Sequence, residues 1–265
     1  ETVNKFVSFD MPFMHIPLFD YLSYFSEQNV TNPMFIFHVS RCGSTLISSL
    51  IDQISDTIVV KEFPFDFKIS SYFYGALKNF LHQFAKIQRS LILKMTPTHN
   101  LYIEYILQKF PKAKMLFLYR NGLDVIASCL KEPLAITQSI ELLNQTAEGL
   151  SWNKQDYYTG NWLFSMNIFK KYLEINDSDN IISLAYEDFI EQPLLSLQKI
   201  FNFFEIDKTV SIDELQCVLK IDAKKQSSFS FSSKREILDQ AMLKEYSRRF
   251  PHGIDFSMRL PKSIV

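Results

Sequence analysis

Residues 35–52 read FIFHVSRCGSTLISSLID. The first part is an apolar run that suits a strand buried on both faces. The last part has the apolar spacing of an amphipathic helix. Between them lies a tight loop, Ser40-Arg41-Cys42-Gly43-Ser44-Thr45. Gly43 tolerates a positive φ. The amides after it open a helix, where the dipole favours an anion. Ser44 and Thr45 add hydroxyl donors, and Arg41 adds a fixed charge with a planar fork. The loop therefore resembles a phosphate cradle. It is not a Walker A loop, because Ser44 stands where that motif needs Lys.

Working outward, four more short apolar runs follow: TIVV (57–60), LILK (91–94), KMLFLY (114–119) and IISLAY (181–186). Helical spacing occupies about 45–54, 66–88, 99–109, 121–131 and 194–204. The stretch 137–174 carries the spacing of one or two long helices. Strands alternating with helices predict βαβ crossovers and a mostly parallel five-stranded sheet flanked by helices, an α/β domain of three layers. In such sheets ligands sit at the carboxyl ends of strands.

A second constellation lies at one of those ends. In KMLFLYRNGLDVIASCL (114–130) the strand ends at Arg120. Asn121 can cap the next helix, and Asp124 complements its dipole. Leu123, Ile126, Ala127 and Leu130 make the expected apolar face. Arg120, Asp124 and Ser128 fall on another side, four apart, and offer a second anion site. Taken alone, an Arg120–Asp124 ion pair with Ser128 as a small packing residue explains the same pattern.

Composition limits the alternatives. The 265 residues are 47% hydrophobic and 22% charged, which is ordinary globular composition. The net charge of -1 argues against a nucleic-acid partner. No run reaches the roughly 18 apolar residues of a membrane span. Three widely spaced cysteines (42, 129, 217), with no CxxC and no HExxH, predict no metal site and reduced thiols in a cytoplasmic protein. Three Asn-x-Ser/Thr sequons, at Asn29, Asn144 and Asn176, read as chance. The sequence starts at Glu1 instead of Met, consistent with a trimmed N-terminus. A single domain over 1–265 is expected, with a core at about 34–205 and a helical or looped cap at 206–265. Arg occurs seven times against 21 Lys, so an Arg inside a motif is a less common accident.

HVSRCGSTL, KMLFLYRNGLDVIASCL and IISLAYEDFIEQP (181–193), in this order, resemble the PAPS-dependent sulfotransferases. The resemblance implies a P-loop-like fold. It also implies transfer of a sulfuryl group from 3′-phosphoadenosine-5′-phosphosulfate (PAPS) to a hydroxyl or amine of an acceptor, leaving 3′-phosphoadenosine-5′-phosphate (PAP), with no metal required. Carried over, Arg41, Cys42, Gly43, Ser44 and Thr45 would hold the 5′-phosphosulfate. Arg120 and Ser128 would hold the 3′-phosphate, and Tyr186 would be a nucleotide-side contact. Lys94 and Arg41 would stabilise charge on the leaving phosphate.

The departures place the chain nearer the bacterial and tyrosylprotein branches than the cytosolic one. Arg41 replaces the cytosolic first-loop Lys. Lys94-Met95-Thr96 lacks the cytosolic catalytic His, and the C-terminal Arg-Lys-Gly block is absent. In the nearer branches a Glu after the second strand is the base, and Glu62 in IVVKEFPF holds that place. Phe63, Pro64 and Phe65 follow it instead of a basic residue, which argues against a peptide acceptor and for a small molecule. The aromatic stretches 63–67 and 71–75 could line its pocket. His99 is the alternative base, His38 reads as a packed strand residue, and Cys42 as a small filler. Two rival readings are a P-loop kinase using ATP and a non-catalytic nucleotide-binding relative. Oligomeric state is not legible.

Overall fold

The computed structural model describes residues 33–61, 77–78, 80–82, 90–131, 153–175, 179–225 and 259–261. Contacts divide the chain into two compact units. One comprises 1–31 and 67–87, the other 32–66 and 88–265. In the first, residues 77–78 and 80–82 are helical, within the expected 66–88 helix, and Leu77 and Leu81 are buried.

The second unit is built on five strands: β1 Met34–His38, β2 Ile58–Lys61, β3 Leu91–Lys94, β4 Lys114–Tyr119 and β5 Ile181–Ala185. All pair in parallel, in the order β2-β3-β1-β4-β5. The expected α/β architecture and every expected strand are present. Continuous apolar runs fit because the strands are covered on both faces; Phe35, Ile36, Phe37, Met115, Leu116 and Phe117 are all fully buried.

The helices are α1 Ser44–Ile54, α2 Ile103–Lys109, α3 Gly122–Lys131, α4 Lys154–Ile175, α5 Tyr186–Glu191, α6 Pro193–Phe203 and α7 Ile212–Lys225, with a 3-10 turn Pro97–Tyr102 leading into α2. Pro97 occupies the first turn, where its missing N–H costs nothing. Helix α1 packs with α6 and α7, whereas α3 packs with α4, and α4 reaches the 3-10 turn and β5. Right-handed crossovers place these groups on opposite faces of the sheet. On the α4 side Phe37 meets Phe117 edge-on at 6.1 Å, and Phe117 stacks on Phe169 at 4.4 Å. Helix α7 falls in the region expected as a cap.

Two local expectations change. Tyr186 opens α5 instead of ending β5, because Glu187 and Asp188 supply the acidic first turn that a helix start favours. The buried stripe of α3 is Gly122, Val125, Ile126 and Cys129, while Leu123, Ala127 and Leu130 are only half-buried. The helix is rotated so that Arg120 and Ser128 stay half-open beside it. The part of the long helix expected before residue 153, and the Ser-rich stretch 227–233, lie outside the described residues.

The chain leaves β1 toward β2 and β3 and returns to β4 on its other side. The reversal point lies between β1 and β4, and the crevice at their carboxyl ends is the natural ligand position. Arg41 follows β1 and Arg120 follows β4.

Candidate functional site

The loop after β1 curls tightly. Arg41 and Gly43 both adopt left-handed backbone, with φ of 58° and 78°. For Arg this conformation is strained, and such strain clusters at binding sites. Gly43 is the N-cap of α1. It supplies no side-chain cap, and the first turn carries no acidic residue. No N-cap side chain and no carboxylate closes this helix start, an arrangement that suits an incoming anion. A Cβ on Gly43 would lie 2.6 Å from the Tyr186 ring, so this ring packs directly on the loop.

Lys94 ends β3 beside the loop. Its side chain does not run out to solvent, since the residue is only 1% exposed. Its Nζ lies 3.4 Å from Thr45 Oγ1, in the first turn of α1. A buried ammonium directed at a helix start adds to the positive potential there. Cys42 is buried, and burial pushes its thiol up to about 12, so it stays protonated and fills space as expected.

The residues expected to form a second anion site follow the neighbouring strand. Asn121 caps α3 through Oδ1, which accepts the Leu123 N–H at 3.0 Å. The Arg120 guanidinium stands 4.8 Å over the Tyr186 ring, and its Nη1 donates to the Arg41 carbonyl at 3.4 Å. Arg120 also meets Asp124 at 3.7 Å, the pairing the sequence allowed. Ser128 lies two turns along α3, half-buried. Arg41 extends toward this helix too. Burial raises the Cys129 thiol to about 11, and the nearby Arg41 side chain, hydrogen-bonded to it, pulls the other way. Tyr186 therefore touches both loops, and Arg41, Gly43, Arg120 and Tyr186 form one cluster.

Glu62 lies outside the described residues, as do the aromatic stretches 63–67 and 71–75. Lys61, the residue before Glu62, pairs with Asp52 at 3.6 Å and donates to Ser49 Oγ at 3.0 Å. It lies opposite Lys94 in the sheet register. His99 is buried in the 3-10 turn, where its Nδ1 accepts the Thr96 N–H at 3.2 Å.

His38 is a packed strand residue, as expected. Its Nδ1–H donates to the Val39 carbonyl at 2.8 Å. Burial first, then the charge of Lys94, lowers its pKa from 6.5 to about 3. The native state therefore binds fewer protons than the unfolded chain between these values. The neutral imidazole imposes no penalty above pH 6.5, and stability falls as pH drops toward 3. At pH 5.5 the loss is about 1.4 kcal/mol. Urea unfolding of His38→Gln should show a stability difference between pH 7.5 and 5.5 smaller by about that amount; an unchanged slope would sink this account.

Several supporting residues are not visible from sequence spacing. Trp162 Nε1 donates to the Arg120 carbonyl at 3.1 Å, and Glu187 Oε1 accepts the Asn121 N–H at 2.9 Å. Asn100 Nδ2 donates to the His38 carbonyl and to Ser165 Oγ. Arg259 grips Asp188 through two contacts of 2.9 Å, and the Leu260 N–H donates to Tyr119 Oη. Glu187 sits in the YED string beside Tyr186, the one local signal available for any of them.

Comparison with known proteins agrees with this fold. The sulfotransferase STF9 from Mycobacterium avium superposes with a TM-score of 0.60 at 14% identity, covering 92% of this chain and 82% of that one. The sulfotransferase domain from the curacin biosynthetic pathway gives 0.51 at 16% identity, covering 88% and 100%. At these identities the likeness concerns the fold. A 3-alpha-hydroxysteroid sulfotransferase from Cavia porcellus is 27% identical over 134 residues, 50% of this chain; the match spans under half of that relative, 42%. The sulfotransferase domain model matches residues 31–259, most of the sequence, and the chain belongs to the sulfotransferase family.

Proposed function

We propose that the protein transfers a sulfuryl group from PAPS to a hydroxyl, or an amine, of a small-molecule acceptor. The observation that carries this reading is the pair of anion sites at the β1/β4 reversal point. One is the uncapped start of α1 with Lys94 buried beside it; the other is Arg120 with Ser128 along α3. The residues fit a nucleotide with two separated anionic groups. Arg41, the 42–45 amides and hydroxyls, and Lys94 hold the phosphosulfate end. Arg120 and Ser128 hold the 3′-phosphate, with Tyr186 between them. The Cavia porcellus relative is named for a hydroxysteroid, a small hydroxyl compound, which favours an acceptor of that class.

In the reaction the acceptor oxygen bonds to sulfur as the bond from sulfur to the bridging phosphate oxygen breaks. The electron pair stays with the 5′-phosphate. Lys94 and the α1 amides stabilise this growing charge. Glu62 takes the acceptor proton. Its place directly after Lys61, opposite Lys94 in the sheet, supports that role. The transition state is loose, so positioning and charge do most of the work. A kinase reading is disfavoured by Ser44, which stands where the ATP-binding Lys is needed. The proposed setting is cytoplasmic, where the free thiols of Cys42, Cys129 and Cys217 remain reduced.

Calorimetry tests the reading. PAP should bind at least tenfold tighter than 5′-AMP, about 1.4 kcal/mol, and should do so in EDTA. Equal affinities, or a strict Mg²⁺ requirement with a preference for ATP, would overturn it. A sulfate-transfer assay with hydroxylated acceptors then separates an enzyme from a non-catalytic relative.

A further inference from the structure

The peptide unit joining Arg120 to Asn121 is held at both of its polar atoms. Its carbonyl, on Arg120, accepts the Trp162 indole N–H at 3.1 Å from α4. Its N–H, on Asn121, donates to Glu187 Oε1 at 2.9 Å from α5. The two partners are 42 and 66 residues away in sequence. Holding both atoms fixes the plane of that peptide. It therefore fixes the direction in which the Arg120 side chain leaves the backbone and the angle at which α3 begins. Helix α5 is itself tied down, by the paired contacts of Asp188 with Arg259 and by the buried Phe189.

Glu187 is an unusual residue to find here. A carboxylate near a site for a phosphate repels the ligand, and this one is half-buried, where screening is weak. Its position makes sense if the acceptor oxygen is needed more than the charge is harmful. A backbone N–H donating to a charged oxygen forms a stronger bond than one donating to a neutral partner.

We infer that Glu187 is a positioning residue for nucleotide discrimination: with Trp162 it clamps the Arg120–Asn121 peptide and aims Arg120 at the 3′-phosphate. This rests on the two-anion reading above and adds the part that sets the second site. The first anion site is built on the start of α1 and Lys94; Arg120 meets its loop at the Arg41 carbonyl, a long contact of 3.4 Å. Loss of the clamp should therefore weaken PAP and spare 5′-AMP.

Three substitutions at one position separate geometry from charge. Glu187→Gln keeps the acceptor oxygen and removes the repulsion. Glu187→Asp keeps the charge but draws the oxygen back by about 1.5 Å, one carbon–carbon bond. Glu187→Ala removes both. Calorimetry should find PAP binding to the Gln variant as tight as wild type or tighter. The Asp and Ala variants should bind PAP at least fivefold more weakly, and all three should hold 5′-AMP within twofold of wild type. If the Ala variant does not fold, the Gln and Asp pair still gives the contrast. A wild-type preference for PAP that persists in the Asp variant overturns the clamp alone, and so does a parallel loss of both ligands. Equal wild-type affinity for PAP and 5′-AMP overturns the parent reading, and the clamp with it.

Discussion

Lys94→Met should lower turnover by roughly 10²- to 10³-fold while leaving the fold as stable as before, or more so. The rate effect follows from the role of the ammonium. It lies 3.4 Å from Thr45 Oγ1 at the start of α1, where the proposed reaction puts the charge of the leaving phosphate, and removal of one preorganised donor costs about that factor. The stability effect follows from burial. Lys94 is 1% exposed, and a charge so placed carries a desolvation cost that an apolar side chain of similar length avoids. Removal of the ammonium also takes away one of the influences that lower the His38 pKa, so the acid loss attributed to His38 should level off at a higher pH in the same variant. Steady-state kinetics and thermal unfolding measure both effects. Turnover within threefold of wild type would remove Lys94 from the chemistry. A large loss of stability would instead make it a structural residue.

Glu62→Gln should cut turnover by roughly 10²-fold or more, about 2.7 kcal/mol of barrier, and leave PAP affinity nearly unchanged. Gln keeps the size and hydrogen bonding of Glu but cannot take the acceptor proton. An unaltered affinity with a lost rate is the pattern of a group that acts in the transition state alone. The acidic limb of the turnover profile, where the base becomes protonated, should be absent from the variant. His99→Ala should do much less, because His99 Nδ1 is already engaged by the Thr96 N–H. If His99→Ala proved the slower variant, the base would have to be reassigned.

Much of the architecture was readable from local pattern. Each strand is a run of apolar residues buried on both faces, and each stands within a residue or so of its expected bounds. The loop Ser40–Thr45 and the Arg120–Asn121 turn were legible because a strand end followed by a helix cap is written in adjacent residues. The cap itself appears as expected, with Asn121 Oδ1 on the Leu123 N–H. Tyr186 misled because an aromatic residue suits a strand end as well as a helix start. The acidic pair after it was the better guide.

The sequence by itself determined the order of strands and helices, the parallel α/β class, and the two loops at which charge collects. These depend on periodicity, capping and residue type, all of which act over a few neighbouring positions. Only the tertiary structure decided that Lys94 is sealed from solvent instead of reaching out to it. It also decided that one ring, Tyr186, lies against both Gly43 and Arg120, and that α3 turns Val125 and Cys129 inward instead of Leu123 and Ala127. The same holds for the grip of Trp162 and Glu187 on the Arg120–Asn121 peptide. Such contacts join segments tens of residues apart, and they form only when the sheet brings the carboxyl ends of its strands side by side. No local spacing encodes them, because the partner of each group is set by where the chain returns.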